Sequence, residues 1–235
     1  MGEVYAVGVG PGSPRYMTDA VKEVILYSDI IIGYKYTLQT IERLLVNKEV
    51  YEITMQNQEE TYQKVAKTLG DKTCVIPFTG DVNFSESEVV DRLIEIFGEV
   101  RIIPGISSVQ VAAAKAGVPL DKSKIITMHV TTSIEEKKLE LQKALLDGHS
   151  VILVPRPWPK DPPKNFMQSE IAFYLKDHGF DTSKMKVRVF EFLTTDKETS
   201  FVGTVKDLEG KQFSDLSVMV FDQSKPESYI NFKTN

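Results

Sequence analysis

Three glycine-containing segments, each placed directly after an apolar run, carry the residues that could bind a small molecule. The segments are Gly10-Pro11-Gly12, Thr79-Gly80-Asp81 and Pro104-Gly105-Ile106-Ser107-Ser108. Glycine lets a backbone approach a bound molecule without a Cβ in the way, Asp81 could hold a ribose or an amine, and the serines could meet a ligand. If the apolar runs are parallel strands, the three exits share one edge of a sheet and are expected to line one pocket.

Each segment also has a purely structural interpretation. Gly10-Pro11-Gly12 could be a tight turn, and Asp81 could cap or solvate the loop before Ser85. Ser107 begins a capping box that ends at Gln110, so it could simply open a helix. The expected convergence of three segments therefore indicates a ligand site more strongly than any one of them.

The first segment departs from the fingerprint of a dinucleotide-binding site. Pro11 has no N–H to donate to a phosphate, and Ser13 stands where the third glycine or alanine belongs. The acidic residue expected at the end of a second strand is replaced by Tyr34-Lys35-Tyr36. These departures argue against a nicotinamide cofactor.

The histidines do not form a catalytic or metal-binding set. His149 and His178 stand beside glycines, and only His129 falls in a predicted strand, where it is either a core residue or a contact to substrate. No Cys/His spacing supports a metal site, and no serine-histidine-aspartate order or Walker lysine supports a hydrolase or a P-loop enzyme. The single Cys74 excludes an internal disulfide and is expected to be a small buried residue.

Composition excludes several classes of protein. The chain has 235 residues, 42% of them hydrophobic, and a net charge of −5, which gives no general attraction for nucleic acid. Its apolar runs, such as Val151–Val154, are too short to cross a bilayer, and the N-terminal segment lacks a signal-peptide pattern. We therefore expect a cytoplasmic protein in which any anionic ligand is held by a local cluster of basic residues.

The elements that position the three segments alternate between strand and helix up to about residue 117, which predicts a parallel α/β sheet. The predicted strands begin with the run from Val4 and continue at Asp29–Gly33, Glu49–Ile53, Thr73–Phe78 and Val100–Ile103. The predicted helices follow Thr18, span Tyr36–Val46 and Glu59–Leu69, and begin at the capping boxes Ser85 to Glu88 and Ser107 to Gln110.

A boundary is expected at Val118-Pro119-Leu120-Asp121, which divides the chain into domains 1–117 and 118–235. In the second domain the predicted strands are Lys124–Val130, Val151–Val154, Lys186–Phe192, Ser200–Val205 and Leu216–Asp222, and the predicted helices are Ile134–Leu146 and Phe166–His178. Because no long helix separates the third strand from the fourth, a mixed sheet with antiparallel pairing is expected. The proline-rich segment from Pro155 to Pro163 is either a lid or a rigid surface connection.

Taken together, the segments resemble the tetrapyrrole methylase family, which transfers methyl groups from S-adenosylmethionine to corrin precursors. The resemblance is carried by Val7-Gly8-Val9-Gly10-Pro11-Gly12-Ser13-Pro14 with Thr18, by Gly80-Asp81, and by Pro104-Gly105-Ile106-Ser107-Ser108-Val109-Gln110. The last of these, with Ala112-Ala113-Ala114 and Gly117-Val118-Pro119, is most similar to the branch that methylates C-5 of cobalt-precorrin-7, the small subunit of the C-5,15 methylase.

The resemblance implies a two-domain α/β fold with the methyl donor in a cleft between the domains. The donor contacts that it implies are Pro11, Gly80, Asp81, Phe84, Ser107 and Ser108 in the first domain and Pro155 and Leu193 in the second. It also implies a separate partner that carries the C-15 methylase and decarboxylase activity, and a homodimer. No general base is assigned, and Asp81 and His129 are the candidates.

The pattern differs from the family at Val82, where proline is usual, and at Ser85-Glu86-Ser87, where a glycine-containing loop is commoner. The substrate's many carboxylates call for basic residues, for which Arg15, Lys35, Arg156 and Lys160 are candidates. Three other functions stay open: methylation of another precorrin carbon, diphthine synthesis on a protein histidine, and a non-catalytic nucleotide-binding module.

Overall fold

A computed structural model describes residues 2–84, 87–130, 133–156 and 167–223, and within it the chain divides into two compact units, Met1–Ser108 and Val109–Asn235. Each unit has its own five-stranded sheet. The first sheet is parallel throughout and the second is mixed, so the predicted α/β class is confirmed.

The first sheet has the strand order β3-β2-β4-β1-β5. Its strands are β1 (Val4–Gly8), β2 (Ile30–Tyr34), β3 (Glu49–Ile53), β4 (Cys74–Phe78) and β5 (Arg101–Ile103). In register, Gly8 of the interior strand β1 lies beside Phe78 of β4, and Val7 lies beside Ile103 of β5. The exits of these three strands therefore lie next to one another at one edge of the sheet.

The helices of the first unit follow the predicted pattern with one exception. They are α1 (Asp19–Tyr27), α2 (Lys35–Thr40), α3 (Gln58–Thr68) and α4 (Ser87–Phe97). Thr18 caps α1 as predicted, since its side chain accepts a hydrogen bond from the Val21 N–H at 3.4 Å. The helix predicted for Tyr36–Val46 instead ends at Thr40 and continues as a 3-10 turn at Glu42–Leu44. Residue Ser85 of the predicted capping box lies outside the described residues.

The three interior strands of the first sheet, β2, β4 and β1, are buried on both faces, as their near-continuous apolar sequences predict, whereas the edge strands β3 and β5 are largely exposed. One face packs Ala6, Ile32 and Ile76 against residues of α3 and α4 that include Tyr62 and Leu93. The opposite face is covered by α1 and α2 through side chains that include Val21, Ile25 and Leu38. Cys74 is fully buried in this core, and its burial raises the pKa of the thiol to about 12.

The second sheet has the strand order β6-β7-β10-β8-β9, with β6 and β7 parallel and the other pairs antiparallel. Its strands are β6 (Ser123–Thr127), β7 (Ser150–Val154), β8 (Lys186–Glu191), β9 (Thr199–Thr204) and β10 (Ser217–Phe221). The helices of this unit are α5 (Ser108–Ala116), α6 (Glu135–Leu146) and α7 (Met167–Asp177). The first residue of α5, Ser108, still belongs to the first unit. The antiparallel pairing of β8 with β9 agrees with the absence of a long helix between them.

Helix α5 groups with the second unit, whereas the sequence pattern predicts a boundary after Gly117. Its last turn is held to β8, because Arg188 Nη1 donates to the Lys115 carbonyl at 3.4 Å. Gly117 nevertheless ends the helix as predicted, with a φ of +69°. Across the described residues, no helix is both long and apolar enough to cross a membrane.

Candidate functional site

The loops that follow β1 and β4 are paired with each other through their backbones. The Gly10 N–H donates to the Gly80 carbonyl at 3.2 Å, and the Gly80 N–H donates to the Gly10 carbonyl at 2.7 Å. The Val9 N–H extends this pairing with a 2.9 Å bond to the Phe78 carbonyl. The two predicted segments thus meet beyond the end of the sheet.

Glycine is required where these loops come together. A Cβ placed on Gly8 would lie 2.5 Å from the Gly80 carbonyl oxygen and 2.7 Å from the Gly105 nitrogen, closer than real Cβ contacts come. The backbones of Gly8, Gly80 and Gly105 therefore touch directly, and we call this contact the glycine junction. Gly10 and Gly80 have φ values of +88° and +77°, in the region that glycine favours.

Asp81 joins the loop after β4 to the loop after β5. Its Oδ2 accepts a hydrogen bond from the Gly105 N–H at 3.0 Å, and its Oδ1 accepts one from the Asn83 N–H at 2.7 Å. The Phe84 N–H donates to the Asp81 carbonyl at 3.1 Å, which closes a turn. Both carboxylate oxygens of Asp81 therefore hold backbone in place, and its role toward a ligand stays a prediction.

The serines of the third segment lie beside Gly80. A Cβ on Gly80 would approach nothing more closely than 3.9 Å, where it would meet the Ser107 Cα and the Ser108 nitrogen. Ser107 is only 8% exposed, and Ser108 is the first residue of α5. The structure thus brings Gly80, Asp81, Ser107 and Ser108 together with Gly10, whose neighbour Pro11 is buried. Convergence of the three exits, predicted from the sequence, is observed in the first unit.

The two predicted contacts in the second unit both follow strands. Pro155 comes directly after β7 and is buried. Leu193 follows β8, is 3% exposed, and stands between two left-handed residues, Phe192 with φ +50° and Thr194 with φ +69°. Left-handed backbone at residues with a Cβ is strained and persists only where its surroundings enforce it.

An ion pair that no sequence pattern predicts holds this strained loop. The Thr194 N–H donates to Glu198 Oε2 at 2.7 Å, while Glu198 Oε1 accepts from Lys115 Nζ of α5 at 2.7 Å. Burial alone would raise the pKa of Glu198, but the Lys115 ammonium and the Thr194 N–H outweigh it and hold the pKa below its ordinary value. No local pattern marks Glu198 or Lys115, because the two residues are far apart in the chain.

His129 lies outside the strand in which it was predicted. Strand β6 ends at Thr127, whose Oγ1 accepts a hydrogen bond from the His129 N–H at 3.1 Å. The Met128 N–H donates to the Val154 carbonyl at 2.8 Å, and the pairing of β6 with β7 extends no further than Val154, so His129 lies beyond it. Burial of the imidazole lowers the pKa of His129, so its neutral form dominates at neutral pH.

The predicted basic residues have different environments. Arg15 is exposed in the 3-10 turn Pro14–Tyr16, and Lys35 is exposed at the start of α2. Arg156 is half-buried after Pro155, while Lys160 and most of the proline-rich segment lie outside the described residues. Within the described ranges no three His, Cys, Asp or Glu side chains are grouped as a metal site would require.

The chain is similar in sequence and in fold to known proteins. Residues 3–209 match the family model for Tetrapyrrole (Corrin/Porphyrin) Methylases. The chain is 28% identical over 225 residues to a probable cobalt-precorrin-7 C(5)-methyltransferase of Methanocaldococcus jannaschii, covering 93% of this chain and 97% of the relative. It is 24% identical over 242 residues to a probable cobalt-factor III C(17)-methyltransferase of the same organism, covering 98% and 94% of the two chains. The crystal structure of the methyltransferase CobJ superposes with a TM-score of 0.74 at 19% identity, covering 94% of each chain, which supports the fold.

Proposed function

Because the chain belongs to the tetrapyrrole (corrin/porphyrin) methylase family, we propose that it transfers a methyl group from S-adenosylmethionine to C-5 of cobalt-precorrin-7 or an equivalent corrin precursor. The similarity over nearly the whole chain to a probable enzyme of that specificity supports this choice of substrate. The structural observation that carries the proposal is the glycine junction with Asp81, which fixes three loops at the carboxyl edge of the first sheet. That edge is where open α/β sheets bind ligands.

The residues at this edge suit a methyl donor of this kind. Gly10 and Gly80 present backbone without side chains, and a Cβ on Gly80 would reach no more than van der Waals contact, at 3.9 Å, with Ser107 and Ser108. Polar groups for an adenosyl or amino-acid moiety would come from the loop backbones and from the hydroxyls of these two serines. Phe84 and Pro11 would supply apolar contact. Pro155 and Leu193, in the second unit, remain predicted donor contacts.

When bound, S-adenosylmethionine supplies a methyl group on a sulfonium, which is a good leaving group, and the meso carbon of the reduced macrocycle is an enamine-like nucleophile. The protein's main task is then to position the two groups in line and to exclude water. Such positioning can contribute about 7–11 kcal/mol to lowering the barrier. Asp81 serves this task by holding the loops after β4 and β5 in one arrangement.

A general base is not essential to this chemistry, and two residues are candidates. His129 has a lowered pKa and is therefore neutral and able to accept a proton at neutral pH. Asp81 already accepts two backbone hydrogen bonds, which favours a positioning role for its carboxylate. We propose in addition a homodimer and, from the branch that the sequence resembles, a separate protein for the C-15 methylation and decarboxylation.

The test has two stages. Calorimetric titration with S-adenosylhomocysteine should show binding, and absence of binding at millimolar ligand would discard a methylase in favour of a non-catalytic module. Incubation with isotopically labelled donor should then add one methyl group to cobalt-precorrin-7, located at C-5 by NMR.

The substrate panel should include cobalt-factor III, because the similarity to a probable C(17)-methyltransferase favours that second candidate. Methyl transfer to cobalt-factor III alone would reassign the chain to C-17. Transfer to a modified protein histidine alone would make it a diphthine synthase.

A further inference from the structure

A second concave site lies in the first unit, beside the turn that follows the first glycine segment. Its volume is about 460 Å³, within the usual range for small-molecule pockets. Its lining comes from the turn Pro14–Tyr16, the start of α1 and the chain from the end of α2 through Leu44. None of the predicted donor contacts lines it.

The lining of this pocket combines an apolar floor with three cations. Met17 and Ile41, which are 5% and 1% exposed, provide buried apolar surface. Arg15, Lys22 and Arg43 also line the pocket, against the single carboxylate of Glu42. This local excess of positive charge stands out in a chain whose net charge is −5.

The side chains of the two arginines are available to a ligand in the part of the chain that the structure describes. Lys22 is paired with Asp19 at 3.0 Å, but neither Arg15 nor Arg43 makes an ion pair or a side-chain hydrogen bond to any described residue. A guanidinium presents a planar set of donors that matches a carboxylate in two-point fashion. Their placement at the rim of one apolar pocket is the arrangement that an amphipathic anion requires.

We propose that this pocket binds a carboxylate-bearing molecule with an apolar body, its carboxylates on Arg15 and Arg43 and its carbon skeleton on Met17 and Ile41. Two sources share this chemistry: the peripheral carboxylates of a tetrapyrrole, and a separate organic acid. A tetrapyrrole ligand would rest on the proposed function and extend it by locating part of the substrate. A separate organic acid would be independent of the proposed function.

The pocket is also connected to the glycine junction. A Cβ on Gly10 would lie 2.9 Å from the Tyr16 carbonyl oxygen, so the turn that carries Arg15 packs directly on the residue that pairs with Gly80. A ligand held by Arg15 would therefore fix the position of the turn against Gly10. Occupancy of the pocket is expected to raise the affinity of the full-length protein for S-adenosylhomocysteine.

Binding is tested with three probes on the full-length protein. The first probe is coproporphyrin III, a tetracarboxylate whose binding is followed by its fluorescence. The second is a tetracationic N-methylpyridyl porphyrin, which is the matched control of opposite charge. The third is tricarballylate, which represents a small organic acid. Coproporphyrin should bind, and R15Q and R43Q should each weaken it about tenfold, as expected for loss of one charged hydrogen-bonding partner. K67Q, which removes an exposed cation from α3, should bind like the wild type.

Each outcome supports or overturns the proposal. Displacement of coproporphyrin by tricarballylate at millimolar concentration identifies a separate acid as the source, and its absence identifies the tetrapyrrole. No coproporphyrin binding, equal binding of the cationic porphyrin, or equal losses in K67Q and the arginine variants would overturn it. R43K, which retains the charge but not the two-point geometry, should recover part of the binding, and unchanged urea unfolding of R15Q and R43Q excludes misfolding as the cause. S-adenosylhomocysteine titrations of the same proteins report on the proposed function separately, because neither arginine is a predicted donor contact.

Discussion

Asp81 Oδ2 accepts the backbone N–H of Gly105 at 3.0 Å, a bond between the loops after two strands that are not neighbours in the sheet. Strand β1 lies between β4 and β5, and its own exit loop pairs with Gly80. A single carboxylate thus ties together the loops that flank β1. The proposed donor site depends on this tie.

Replacing Asp81 should lower both the stability of the fold and the affinity for the donor product. D81A leaves the Gly105 and Asn83 N–H groups without their acceptor and should cost about 1–3 kcal/mol in the free energy of unfolding, measured in urea. D81N retains one acceptor oxygen and should cost less. In both variants the dissociation constant for S-adenosylhomocysteine should rise at least tenfold in calorimetry. The matched control is D121N on an exposed turn of the second unit, and an equal effect there would refute the assignment.

The glycine junction predicts a contrast between two Gly-to-Ala changes. G8A places a Cβ against the backbones of Gly80 and Gly105, which cannot move without breaking the sheet edge, and should destabilise the fold by more than about 3 kcal/mol. G148A has open space around the new Cβ and pays only for the left-handed backbone at φ +78°, about 1–2 kcal/mol. Urea unfolding of both variants measures this difference, and equal losses would show that the junction is looser than described.

Glu198 predicts a pH-dependent contribution to stability. Because its pKa is lowered in the folded protein, the contribution is present above the unfolded pKa, near 4.3, and is lost as the pH falls through the lower folded value. The wild type should therefore be more stable than E198Q at pH 7, and this difference should shrink below about pH 4. Thermal melts across pH 3 to 7 provide the measurement. A difference that persists unchanged to pH 3 would contradict the ion pair with Lys115.

His129 should titrate below its ordinary pKa. Burial lowers the pKa, so the imidazole resonances should have a midpoint below 6.5 in an NMR titration. The unfolded chain then binds the proton more readily, and the wild type should lose stability relative to H129N as the pH falls below about 6.5. If His129 is the general base, H129N should also lower kcat about 100-fold while S-adenosylhomocysteine binds normally. A midpoint at or above 6.5 would remove the physical basis for that role.

The sequence predicted what depends on local pattern and on the general rules of parallel sheets. Continuous apolar runs marked the strands, Thr18 marked the start of α1, and the rule that parallel strands share an exit edge brought Gly10, Gly80 and Ser107 together. The mixed character of the second sheet followed from the short connection between β8 and β9. These features each rest on a few neighbouring residues or on strand order alone.

Features that depend on distant partners could not be predicted in the same way. Helix α2 ends early at Thr40, although apolar residues continue at helical spacing to Leu45; Ile41 is buried but has a non-helical backbone with φ −106°. The strained loop around Leu193 is set by Glu198 and Lys115, whose contact exists only in the folded chain. The pocket of Arg15 and Arg43 likewise joins segments whose sequences show no shared pattern.

The position of β1 between β4 and β5 also constrains how the protein is made. Residues 4–8 leave the ribosome well before both of their partner strands, at residues 74–78 and 101–103. Until residue 78 has emerged, this segment has no partner strand on either hydrogen-bonding edge, and until Ile103 has emerged one edge stays unpaired, which is the condition under which nascent chains aggregate. Poor yield on overexpression would therefore be relieved by slower synthesis at low temperature, or by chaperones that shield the first strand, before any change to the site itself is attempted.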